Sequence, residues 1–121
     1  MTVEDRANPM FIAVYRFKIF PDMEQQFIQA WKIRTEGIYF LLGSLGSRLH
    51  QESSTGDYIA YAQWPSRSHW LNAQFDRLNT DDYPRYKHAG EQMRKSIQSD
   101  ETILELEVEA DYLHPLLLHF K

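Results

Sequence analysis

The stretch from Ser44 to Trp64, SLGSRLHQESSTGDYIAYAQW, decides the fold. Two runs with strand character flank Ser53, Ser54, Thr55, Gly56 and Asp57, a cluster of turn-forming types in which Gly56 can supply the positive φ of a tight reversal. Tyr58 to Ala62 read as a strand of aromatic and β-branched character. Trp64 closes that strand, Pro65 cannot continue its ladder, and Ser66 stands where it can cap a helix over SRSHWLNAQF. Strand, reversal, strand and helix therefore follow one another with little slack.

Toward the N-terminus, MFIAVYRFKIF (10–20) is a further strand. Alternation puts Phe11, Ala13, Tyr15, Phe17 and Ile19 on one face and Ile12, Val14, Arg16 and Lys18 on the other. The first face is apolar or aromatic throughout and the second begins apolar, so both are expected to meet protein over part of their length. Pro21 suits a first helical turn, and Asp22 and Glu24 place negative charge at the positive end of the helix dipole. The spacing predicts a helix from about Pro21 to Leu42, stopped by Gly43. Phe27, Trp31, Ile38 and Leu42 share a stripe, Gln25, Gln26, Lys32 and Arg34 are expected to face water, and Gly37 can loosen the span.

Toward the C-terminus, Leu71, Phe75 and Leu78 repeat at helical spacing until Asn79 to Asp82 interrupt them. A second helix is predicted from about Tyr83 to Ser96, with Pro84 in its first turn and Tyr86, Ala89, Met93 and Ile97 on one face. In ETILELEVEADYL, Leu104, Leu106, Val108, Ala110 and Tyr112 alternate with Glu105, Glu107, Glu109 and Asp111, a period of two that only a strand explains. A solvated edge that resists stray strand pairing accounts for the carboxylates.

Residues 1–9 form a polar leader, 10–112 a single domain, and 113–121 an apolar tail expected to cover a neighbouring surface. The element order predicts an α+β, ferredoxin-like four-stranded antiparallel sheet with helices on one face. The bare second face calls for another sheet. In a chain this short a second copy would supply it, giving a two-fold homodimer.

A formal charge of -4 leaves no basic surface for phosphates, so neither nucleic acid nor an anionic membrane is an expected partner. Without cysteine there is no disulfide, thiolate metal site or cysteine nucleophile. His114 and His119 lack the spacing of a metal pair, and no metal site is expected. With no secretory signal or membrane-length apolar run, the expected location is cytoplasmic.

The segments FIAVYRFKIFPDMEQQFIQAWK, GSLGSRLHQESSTGDYIAYAQWPSRSHW and ETILELEVEADY resemble the antibiotic biosynthesis monooxygenase family. The most specific pieces are Ala30 with Trp31, the GSLGSRLH entry to the second strand and the AYAQWPS exit from the third. The resemblance implies a dimeric α/β-barrel protein. It also implies a monooxygenase without metal, flavin or other cofactor, acting with O2 on a small aromatic, quinol or polyketide-like substrate. Such an enzyme needs an electron-rich phenolic or enolic substrate, an apolar chamber, a proton acceptor and donors for the developing oxyanion.

On that reading Arg48, His50 and Tyr61 are the expected catalytic group, with His50 the first candidate base because its ordinary pKa lies near the working pH. Tyr15, Gln63, Trp64 and His88 are the expected substrate contacts. Arg48 and His50 equally suit a solvated strand, whereas core packing is expected ahead of a substrate role for Trp64, and a core or near-core place for Trp31 and Trp70. The family's superfamily also implies two alternatives. One is haem binding or degradation, in which Trp64 matches the tryptophan beside the macrocycle and His88 can be placed against the axial histidine, while Tyr15 departs from an asparagine. The other is a non-catalytic dimer that binds a small apolar or aromatic ligand.

Overall fold

The structure, a computed structural model, describes residues 10–113. The expected leader, and the expected tail beyond Leu113, lie outside the described residues. In chain order come β1 (Phe11–Ile19), α1 (Glu24–Leu42), β2 (Gly46–Gln51), β3 (Tyr58–Trp64), α2 (Arg67–Asn72), a 3-10 helix (Phe75–Asn79), α3 (Pro84–Ser96) and β4 (Ile97–Glu107). The strands form one antiparallel sheet in the order β2-β3-β1-β4. With α2 and the 3-10 helix as an excursion, this is the βαββαβ order of a ferredoxin-like α+β domain.

Alternation along β1 and β3 builds the core. Phe11, Ala13, Tyr15 and Phe17 oppose Trp64, Ala62, Ala60 and Tyr58, and all eight face the helices. Phe27 of α1 inserts between Phe17 and Tyr58 with ring centroids 5.2 and 5.4 Å away. Burying a side chain of this size contributes about 1.5–3 kcal/mol. On the other face Ile12 and Val14 are buried, yet their neighbours on β4, Leu106 and Leu104, are 41% and 50% exposed.

The α1–α3 contact is close because Gly37 permits it. A Cβ there would stand 2.9 Å from the Tyr86 ring. Gly37 therefore seats the facing helix, and α1 runs through it unbroken. Nor do all of the helix's polar positions face water: Gln26 donates to the Gln92 carbonyl at 3.1 Å, and Arg34 is turned inward.

Several boundaries differ from the periodicity. The first helix starts at Glu24, because Pro21 and Asp22 make a reversal in which Asp22 has φ 70° and Met23 N–H donates to the Phe20 carbonyl at 3.1 Å. Proline at the second position and a left-handed third residue suit a turn as well as a helix start. Ser66 does cap α2, accepting from His69 N–H at 3.3 Å, but that helix ends at Asn72. Ala73 is extended, and the chain resumes as the 3-10 helix, which sends Trp70 toward Phe11 and Phe75 toward Trp64. The last strand begins at Ile97, directly after α3, and ends at Glu107, so Ala110 and Tyr112 lie beyond it.

The hairpin turn is clamped from β1. Arg16 Nη1 lies 2.9 Å from both Glu52 Oε1 and Asp57 Oδ2, and Thr55 Oγ1 donates to Glu52 at 2.7 Å. Gly56 at φ 79° closes the reversal.

Candidate functional site

A cavity of about 610 Å³ lies between the helical face of the sheet and the helices, within the size range of small-ligand sites. Its floor is Tyr15, Ala60, Ala62 and Trp64. Trp31 and Ile38 of α1, Trp70, Phe75 and Met93 close it above, and the exposed residues Leu71, Arg94 and Asp100 mark the mouth. The strands deliver the floor because small alanines between large aromatics leave room above the sheet.

Two aromatic polar groups stand in this wall. Trp70 Nε1 donates to the Tyr15 hydroxyl at 2.7 Å, so the phenolic oxygen is occupied as an acceptor and its proton is left to donate elsewhere. Burial holds the Tyr15 pKa above its ordinary value, with the Trp70 bond opposing and Glu105 reinforcing that shift. The hydroxyl therefore stays protonated through the neutral range. Trp64 is only 1% exposed, and its Nε1 has no hydrogen-bond partner among the described residues. Leaving such a donor buried and unpaired costs about 1–3 kcal/mol.

Arg34 braces the roof. Its Nη1 donates to the Leu78 and Tyr86 carbonyls at 3.1 Å each, and its Nη2 to the Phe75 carbonyl at 3.4 Å. These bonds tie α1 to the 3-10 helix and α3. Desolvation lowers the Arg34 pKa, and the positive charge of Arg94 lowers it further.

Of the residues expected from the sequence, Tyr15 and Trp64 lie together on the cavity floor. The expected hairpin group does not join them. Arg48 opposes Tyr61, His50 opposes Ile59 and Gln63 opposes Gly46, all on the face away from the helices. His50 is exposed, with Nδ1 3.1 Å from the Ile59 carbonyl, which makes Nδ1 the protonated nitrogen in the neutral ring. The reason is elementary: Tyr61 and Trp64 are three residues apart on one strand and must point to opposite faces. His88 is exposed on α3, while its neighbours Ala89 and Gly90 are buried.

Haem needs an axial side chain facing its slot. Among the described residues no histidine stands in the cavity wall, and His88 is turned to solvent, so the described residues do not fit that group. Among the described residues no group of three His, Cys, Asp or Glu side chains could hold a metal ion. No described helix is long and apolar enough to cross a membrane.

The wall residues that sequence reasoning passed over are Arg34, Trp70, Arg94 and Asp100. Arg34 carries a signal in retrospect, since it falls three residues after Trp31 and four before Ile38 on the buried stripe of α1.

Solved structures share this architecture. SnoaB, a cofactor-independent oxygenase from Streptomyces nogalater, superimposes with a TM-score of 0.62 at 14% identity, covering 88% of this chain and 99% of that one. A Caulobacter crescentus protein described as a candidate antibiotic biosynthesis monooxygenase gives 0.64 at 16% identity, over 90% and 100%. A conserved protein from Methanosarcina mazei gives 0.63 at 14%, over 87% and 98%. At these identities the likeness speaks for the fold alone. No curated protein matches the chain. The family model described as antibiotic biosynthesis monooxygenase matches residues 10–75, more than half of the sequence and all of the first three strands, and the chain belongs to that family.

Proposed function

We propose that the protein is a cofactor-independent monooxygenase that oxidises a phenolic or quinol-type aromatic compound with O2 in the cavity above the sheet. The observation that carries this reading is the buried, unpartnered Nε1–H of Trp64, a residue of the aromatic floor and roof of the cavity. A donor held dry and unpaired is preorganised for an oxygen that gains charge during reaction.

In this reading the ring of the substrate lies among Trp31, Trp70 and Phe75, with its phenolic oxygen at Trp64. The phenolic proton leaves toward Asp100 at the mouth, and Trp64 stabilises the phenolate. The phenolate passes one electron to O2, and the substrate radical and superoxide combine at the ring carbon para to the oxygen. Tyr15 donates its proton to the resulting peroxide, and Trp70 keeps the Tyr15 oxygen oriented for that donation. The hydroperoxide then loses water: its O–O bond breaks, the proton on the same carbon departs, and a second carbonyl forms. One molecule of O2 yields the quinone and one water.

In this reading Arg48, His50, Tyr61 and Gln63 take no part in the chemistry; they stand on the opposite face, which a second copy of the chain covers together with Ile12, Val14, Leu104 and Leu106. Sedimentation should give a dimer, and Leu106→Asp should give a monomer; a monomeric parent protein would remove that part of the proposal.

The main test is oxygen uptake with dithranol, whose enol form carries hydrogen on the ring carbon para to its oxygen, above the spontaneous rate, by the parent protein and Trp64→Phe. Uptake by the parent that falls about 100-fold in the variant is expected. Equal rates for the two would overturn the oxyanion role. A second reading, a non-catalytic dimer that binds an apolar ligand, is favoured by one observation: Arg48, His50 and Tyr61 lie across the sheet from the cavity. Ligand binding with no uptake above background would establish it.

A further inference from the structure

Among the described residues the charged side chains in the cavity wall are Arg34, Arg94 and Asp100, a net positive excess in a chain whose formal charge is -4. Neither arginine makes an ion pair among the described residues, although Arg16, Arg67 and Arg85 each pair with a carboxylate. Arg34 is the better defined of the two. Three of its five N–H groups are committed to the Leu78, Tyr86 and Phe75 carbonyls, both of Nη1 and one of Nη2. That leaves Nε–H and one Nη2–H without a partner among the described residues. Nε and Nη2 share one edge of the guanidinium, the edge that takes a carboxylate through two parallel bonds. Gly90 makes room for the group, since a Cβ there would stand 3.0 Å from Nη1.

We propose that the cavity takes an aromatic compound bearing a carboxylate, which the free edge of Arg34 binds in bidentate fashion while Arg94 adds a second positive charge at the mouth. This rests on the cavity being the ligand site. Arg34 and Arg94 repel each other there, the negative charge of Asp76 offsets only part of that repulsion, and the carboxylate of the ligand adds the rest. Three backbone carbonyls hold the Arg34 plane before the ligand arrives, so little side-chain freedom is lost on binding. Asp100 stands on the same wall and opposes the anion, so the carboxylate sits on the roof side, against α1 and α3. An arginine there thus selects which aromatic compounds enter productively: those with an acid at one end and a phenol at the other.

The experiment compares 2-naphthoate with 2-naphthamide, probes of nearly one shape that differ in charge, by titration calorimetry and by quenching of tryptophan fluorescence. Naphthoate should bind about 10- to 100-fold more tightly, as expected of charge-assisted hydrogen bonds. Arg34→Lys keeps the charge and loses the fork; it should lower naphthoate affinity about tenfold more than it lowers naphthamide affinity, the naphthamide change reporting the loss of the roof bonds alone. Arg94→Gln, at an exposed position that makes no hydrogen bond or ion pair among the described residues, should lower naphthoate affinity less and flatten its salt dependence. Equal affinity for the two probes in the parent protein overturns the inference and leaves the cavity standing as a ligand site. Binding of neither probe overturns both.

Discussion

The helical face of the sheet is packed by Phe17, Phe27, Tyr58 and Trp64 and still encloses a chamber, whereas the opposite face carries Leu104 and Leu106 in contact with solvent. Their polar groups differ in the reverse sense. On the exposed face Arg16 is matched by two carboxylates, and the hairpin turn it holds is rich in hydrogen bonds. Around the chamber, the buried Trp64 indole N–H has nothing to bond among the described residues. An unsatisfied buried donor costs stability. That it stands on the packed side of the sheet, and not the other, is what separates a site from a surface.

The contrast can be broken or sharpened by four measurements. The largest effect is expected from the packed side: Phe27→Ala should destabilise the protein by about 3–5 kcal/mol in urea unfolding. Leu104→Ala should cost less than about 1 kcal/mol when measured on the Leu106→Asp background, where the opposite face stays open. Comparable losses would mean that the two faces are equally structural.

Next comes the chamber itself. Because Trp64 is packed in the core against Phe75, Trp64→Phe should cost about 0.5–3 kcal/mol through lost packing, while oxygen uptake falls about 100-fold. Uptake that falls no further than the loss of folded protein accounts for would remove Trp64 from the chemistry. A smaller effect is expected from His50→Ala, which should change uptake by less than about twofold, in keeping with an exposed strand position. A substantial loss would bring the far face into the chemistry.

The smallest effects are those of pH, and the two faces should fail at opposite ends. Arg16 and then Thr55 hold the Glu52 carboxyl below its ordinary value. Its contribution is therefore present above the usual carboxylate range and lost as pH falls through the lowered value. Burial raises the Tyr15 hydroxyl above its ordinary 10.0, so its contribution is complete below that value and is lost as pH rises through the raised one. Melting temperatures should show an acid limb that shrinks in Glu52→Gln and an alkaline limb that shrinks in Tyr15→Phe. An exchange of these assignments would contradict the burial pattern.

The strands are legible in the sequence because period-two alternation survives in Phe11–Ile19 and Tyr58–Trp64, where large apolar residues mark one side. The start of β4 is not, since Ile97, Gln98, Ser99 and Asp100 carry no such pattern and pair only because α3 delivers them beside β1. Pro21 fits both a turn and a helix start, and the choice between them depends on Asp22 adopting a left-handed backbone that no local rule demands. The chamber is legible in part. Tyr15 and Trp64 follow from strand parity, but Arg34 reads as a surface cation until its three carbonyl partners arrive from remote segments. The hairpin residues illustrate the limit of residue type as a guide. Arg48, His50 and Tyr61 have suitable chemistry, and parity alone sends them to the other side.

Between Val14 and Tyr15 the pairing with β4 skips Ile103, so that Leu104 opposes Val14 and Thr102 opposes Tyr15. Downstream of that irregularity Asp100, not Glu101, lies opposite Phe17. Had the ladder run without the extra residue, every later side chain of β4 would have exchanged sides. The acid that borders the chamber is thus chosen by counting along the edge strand, and an insertion or deletion of one residue there would rewrite the lining without altering any amino acid that belongs to it.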